Sequence, residues 1–89
     1  MNYICSPDIV WVQDAKQILL AHTKDRRTWA LQDEQAFIWD MLCQHQPCDA
    51  IIKMFALIYP GQDAQVYLNT QLAEWHGAGI LLVKEGQHG

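Results

Sequence analysis

Basic residues are scarce in this chain. Six Lys and Arg stand against ten Asp and Glu, a formal net charge of −4. Binding to a polyanion draws on Lys and Arg, so this balance argues against a nucleic-acid partner. Three of the six cations, Lys24, Arg26 and Arg27, fall in one predicted turn. They make a local positive spot on an acidic protein. Long apolar runs are missing too. Nothing approaches the roughly 18–20 residues needed to cross a bilayer, and the longest apolar run near the end is Ile80 to Val83. The opening Met-Asn-Tyr-Ile-Cys-Ser-Pro-Asp has neither the basic start nor the apolar stretch of a signal peptide. Cysteine is sparse and odd in number, three in all. With no sign of export, free thiols in a reducing cytoplasm are expected.

Catalytic signatures are also absent. There is no P-loop, no Gly-x-Gly-x-x-Gly, no His-Glu-x-x-His and no nucleophile motif. Asp33, Glu34 and Asp40 read as helix-surface carboxylates, not as an acid/base pair in a cleft. Cys43-x-His45-x-x-Cys48 has a metal-like look, with Cys5, His22 or His76 as further donors. It straddles a predicted helix end and lacks a paired second half, whereas structural zinc needs four ligands at defined spacings. The expectation is a chain that is not an enzyme, uses no cofactor and binds no metal.

What is present is enough apolar material for one core. Half of the 89 residues (51%) are hydrophobic, and four are tryptophan. A chain of this length is expected to form one domain over residues 1–89, with its core at about 9–83 and short flexible ends. The stretch Thr28 to Leu42 organises the rest. Trp29 and Leu31, two apart, share one face of a strand Thr28–Gln32. After Asp33 the period changes, and Phe37, Ile38, Met41 and Leu42 make the apolar stripe of a buried helix running to about Gln44. Asp33 is the expected N-cap of that helix.

Before it, Ile9–Gln13 and Gln17–Thr23 read as strands joined by short turns. With Thr28–Gln32 they make a three-stranded antiparallel meander. The last of these strands lies at an edge, which proteins normally blunt or else use. After it, Pro47 suits the first turn of a second helix, with Ile51, Ile52, Phe55, Ile58 and Tyr59 facing the core and Pro60-Gly61 closing it. Asp63 caps a third helix with the stripe Leu68, Leu72 and Trp75, ended by Gly77 or Gly79. Ile80–Val83 forms a short strand or an apolar strap, and Glu85–Gly89 a frayed tail. The predicted class is α+β with the order β-β-β-α-α-α, like a winged helix-turn-helix.

The succession Trp29-Ala-Leu31, Ala36-Phe-Ile-Trp39, Ala50-Ile-Ile52 and Leu68…Leu72-x-x-Trp75-x-x-x-Gly79-Ile-Leu resembles the PqqD-like family. These are precursor-peptide recognition elements of ribosomally made, post-translationally modified peptides. The resemblance runs from about Ile9 to Leu82. It implies that a leader peptide binds as an added strand on the third predicted strand, in a groove against the third helix. The domain then presents it to a separate modifying enzyme, a radical S-adenosylmethionine maturase or a leader peptidase. Carried over by position, the binding residues are Thr28, Trp29, Ala30, Leu31 and Gln32 on the strand, and Val66, Tyr67, Thr70, Gln71 and Glu74 on the helix.

From the residues alone, Trp29 and Leu31 read as the strand's core face rather than as contact residues, which leaves Thr28, Ala30 and Gln32 outward. The Lys24–Arg27 turn is expected to steer an acidic leader, or is simply a solvated turn. Two other classes of function remain. A winged-helix DNA regulator is one, although its recognition helix would carry no Lys or Arg between Asp63 and His76. A scaffolding subunit of a larger enzyme is the other. An open edge strand also permits a homodimer by strand exchange.

Overall fold

The computed structural model describes residues 3–83. Strand β1 (Tyr3–Cys5) is followed by β2 (Ile9–Asp14), β3 (Gln17–His22) and β4 (Thr28–Gln32). Helices α1 (Asp33–Cys43), α2 (Cys48–Ile58) and α3 (Ala64–Gly77) come next, and β5 (Leu81–Val83) closes the order. Strands β2, β3 and β4 form the expected antiparallel meander, in that spatial order. β1 was not expected. It pairs antiparallel with β5 in a separate two-stranded ribbon, Cys5 opposite Leu81 and Tyr3 opposite Val83. Tyr3–Cys5 therefore belongs to the folded body and not to a flexible end. The expected frayed tail, Glu85–Gly89, lies outside the described residues.

Pleat alternation decides the two faces of the meander. Ile18, Leu20 and Leu31 point inward and are nearly fully buried, with Ile9 at the border. The outer face carries Val10 and Val12, 54% and 59% exposed, beside Leu19, Ala21 and Ala30. Helix α1 closes the inner face with Ile38 and Trp39, both without exposed surface. Trp39 stands edge-to-face against Trp11 and Trp75, ring centres 6.2 and 5.8 Å apart. Phe55 of α2 and Leu68, Leu72 and Trp75 of α3 complete the core. The expected α3 stripe is the buried one. The α2 stripe holds at Ile51 and Phe55, but Ile58 is 47% exposed because the helix ends there and Tyr59 takes the inward place.

The ends of the helices set the path of the chain. Asp63 caps α3 as expected, its Oδ1 accepting from Val66 N at 3.1 Å. Asp33 does not cap α1. The N-cap position is Gln32, without a side-chain bond, and Asp33 sits inside the helix boundary at φ 50°. A left-handed residue lets the strand turn into the helix with no intervening loop. Pro47 likewise stands one place earlier than expected, at the N-cap of α2. Helices α1 and α3 each end in a left-handed residue, His45 at φ 59° and Gly79 at φ 83°. The paired closing bonds are Gln46 N to Met41 O with His45 N to Leu42 O, and Ile80 N to Trp75 O with Gly79 N to His76 O.

Candidate functional site

Strand β4 has β3 on one side and no strand on the other among the described residues. Its free groups can be assigned. His22 N donates to Arg27 O at 2.9 Å, closing the β3–β4 loop. Bonded pairs alternate along an antiparallel ladder, so Leu20–Trp29 and Ile18–Leu31 are the next bonded pairs in this register. The N–H and C=O of Thr28 and Ala30, and the N–H of Gln32, therefore point away from the sheet. The chain's last described strand, Leu81–Val83, pairs with β1 and leaves that row free.

Helix α3 runs in the opposite direction to β4, and contacts near the two ends of that strand tie them together. At one end Arg27, just before β4, donates from Nη2 to Ala78 O at 2.6 Å. Its Nε also bonds Asp25 Oδ2 at 2.8 Å, and its guanidinium lies 5.1 Å from the Trp29 ring centre. At the other end Gln62 Nε2 donates to Glu34 Oε2 at 2.5 Å. Between them Gln35 Nε2 of α1 donates to Gln71 Oε1 of α3 at 3.2 Å.

One face of α3 is hollowed. A depression of about 340 Å³ is lined by Gln62, Asp63, Val66, Tyr67, Thr70, Gln71 and Glu74. It contains all five helix residues proposed from the sequence. Their roles differ. Val66, Thr70 and Glu74 are exposed, while Tyr67 is half-buried, its ring 5.1 Å from that of Phe55. Burial pushes the Tyr67 phenol up, with the carboxylates of Glu34 and Glu74 adding to the effect. It thus remains a neutral hydrogen-bond donor at neutral pH. Gln71 is only 5% exposed and is held by Gln35, so it forms floor and not rim.

On the strand side, Leu31 is buried, with its backbone turned to β3. It can shape the edge but does not face a strand added there. Trp29 is half-buried beneath Arg27. Thr28, Trp29 and Ala30 line a different depression of about 490 Å³, on the outer sheet face with Val10, Val12 and Leu19. The two sets of residues do not share one cavity. Arg27, Gln35 and Gln62 join the halves, and nothing in their local sequence marks them, because each partner is far away along the chain.

No family model matches the chain, and no curated protein matches it. Among solved structures it is similar to TbiB1, in a structure of TbiB1 in complex with the TbiA(beta) leader peptide, with a TM-score of 0.85. The two share the fold. Identity is 15%, over 93% of this chain and 99% of that one.

The positive turn expected to steer a ligand is largely engaged. Arg27 is committed as above, and Lys24 Nζ lies 3.7 Å from Asp8 Oδ2. Arg26 makes no ion pair among the described residues. The Cys43-x-His45-x-x-Cys48 segment spans the end of α1 and the start of α2. Among the described residues no group of three or more His, Cys, Asp or Glu is placed to hold a metal ion. No described helix is long and apolar enough to cross a membrane.

Proposed function

We propose that this chain is a non-catalytic adaptor that binds the leader of a ribosomally made precursor peptide as an added strand on β4, and presents it to a separate modifying enzyme. The observation that carries this reading is the unpaired row on β4, bordered by α3 and left free by the chain's own last described strand. The fold shared with TbiB1, solved with a leader peptide, supports it.

The energetics say how such a site must work. Each backbone bond contributes roughly 0.5–1.5 kcal/mol net, and ordering a flexible peptide costs about 1–2 kcal/mol per residue. The ladder therefore fixes register while roughly cancelling in free energy. Affinity has to come from side chains, at roughly 1.5–3 kcal/mol for each large apolar group fully buried. The hollow beside Tyr67 has room for one such anchor, and Tyr67 supplies both a ring face and a phenol at its mouth.

The test is amide hydrogen exchange on the full chain during titration with a synthetic leader encoded beside its gene. Thr28, Ala30 and Gln32 are expected to gain protection together, with Val66, Tyr67 and Thr70 perturbed. Protection confined to β2, the other edge of the meander, overturns the assignment of the site. No protection anywhere at saturating peptide overturns the function.

A further inference from the structure

The three cysteines of the chain all line one hollow of about 690 Å³, away from the β4 edge, together with Tyr3, Trp11 and His45. Two of them are in contact. Cys5 Sγ of β1 lies 3.6 Å from Cys43 Sγ in the last turn of α1, although 38 positions separate them in the chain. The third, Cys48, is exposed at the start of α2. We infer that Cys5 and Cys43 form a reversible oxidation site, closing to an intramolecular disulfide while Cys48 stays outside the pair.

The geometry asks little. Helix α1 packs on β1, so the backbones are already adjacent, and bond formation needs the sulfurs to approach by roughly 1.5 Å. Both residues are half-buried, which admits a small oxidant and hinders a protein-sized one. The contact also couples the two titrations. Either sulfur can donate to the other across this contact, and the shared hydrogen bond lowers Cys5 and raises Cys43 from the ordinary thiol value. The direction of these shifts favours Cys5 as the first nucleophile.

With a low-molecular-weight disulfide as oxidant, the Cys5 thiolate attacks one of its sulfurs, breaks the S–S bond and expels a thiolate. Cys43 then loses its proton to solvent and attacks Cys5 Sγ, expelling the second thiolate. Two protein thiols are oxidised, one small disulfide is reduced to two thiols, and the two protons released return to them.

The bond would join elements the fold otherwise holds by packing. Cys5 is opposite Leu81, and Ser6 N donates to Ile80 O at 2.9 Å, just beyond the end of α3. Cys43 ends the helix that β4 enters directly. The crosslink would therefore brace the strand–helix unit that carries the open edge against the ribbon that follows α3. Closing a loop of this length restricts the unfolded chain, and a rise in thermal midpoint of roughly 10 °C is expected.

The full chain is equilibrated across a series of reduced to oxidised glutathione ratios, alkylated, digested and analysed by mass. Cys5 and Cys43 are expected to disappear together into one crosslinked fragment lighter by two hydrogens. Cys48→Ser should leave this unchanged, and Cys5→Ser should abolish it. The inference is overturned if Cys43 couples to Cys48. It is equally overturned if Cys5 and Cys43 both stay alkylatable under conditions that glutathionylate Cys48, or if Cys48→Ser removes the crosslink.

Discussion

Asp63 and Asp33 begin two helices with the same side chain and do different things. The first accepts from Val66 N, whereas the second lies at φ 50° where α1 has no side-chain cap. Asp63→Ala is expected to lose about 1 kcal/mol, while Asp33→Gly relieves a left-handed residue and gains up to about 1 kcal/mol. Urea midpoints of the two variants should move in opposite directions. From sequence the two aspartates were indistinguishable, because each precedes an amphipathic run. What separates them is the missing loop between β4 and α1, a matter of backbone path.

Tyr67 shows a second residue-scale effect. Burial first, then Glu34 and Glu74, raise its folded value above the ordinary 10.0. Tyr59 is raised in the same direction by burial and by Glu34 and Asp33. Above the unfolded value the native chain then holds more protons than the unfolded one, so the contribution is fully present below about pH 10 and is lost as pH rises past it. Tyr67→Phe keeps the ring against Phe55 and removes one of the two titrations. Its urea midpoint should fall less than the parent's between about pH 9 and about pH 11. An equal fall would mean that the phenol feels no such environment.

At the scale of the element, β4 asks to be probed by taking away single donors. Ala30 N–H points out of the sheet and Leu31 N–H points into it, by the alternation that starts at His22–Arg27. Proline is tolerated on an edge strand where its missing N–H faces outward. Ala30→Pro should therefore keep a cooperative melt within about 1 kcal/mol while leader binding weakens tenfold or more. Leu31→Pro should cost about 3 kcal/mol or more by breaking the ladder and disturbing a buried side chain. Circular dichroism melts beside peptide titrations separate the two. Unchanged leader affinity in Ala30→Pro would remove β4 as the pairing strand.

The elements that sequence reading found are those with a local period: the meander, the three helices, the cap at Asp63 and the buried stripe Leu68, Leu72 and Trp75. β1 was illegible because three residues carry no period, and its partner lies at the far end of the chain. The burial of Gln71 was illegible for a similar reason. A polar residue among Tyr67, Thr70 and Glu74 looks like surface until Gln35, on another helix, satisfies it in the interior. Arg27 looked like a free cation and proves to be a latch, since Ala78 O is 51 positions away.

For the whole molecule, the fixed charges around the β4 edge are unevenly placed. Asp33, Glu34 and Asp63 gather where β4 ends and α3 begins, the end bridged by Gln62 and Glu34. Arg26, which makes no ion pair among the described residues, and Arg27, already paired with Asp25, stand where β4 begins and α3 ends, with Glu74 between. A peptide added antiparallel to β4, the commoner pairing, would place its N-terminal part among the acids and its C-terminal part beside the arginines. The useful comparison is two peptides with identical apolar anchors and identical net charge, one with lysines before the anchor and glutamates after it, the other reversed. Exposed pairs contribute about 0.2–1 kcal/mol each, so two of them give the first peptide an advantage of about two- to thirtyfold at low salt. That preference should shrink at about 1 M salt, where the Debye length is near 3 Å. Because net charge is matched, the protein's overall −4 cannot produce the difference. Only the order of charge along that edge can, and equal affinities would show that the bound peptide does not lie along β4 in this direction.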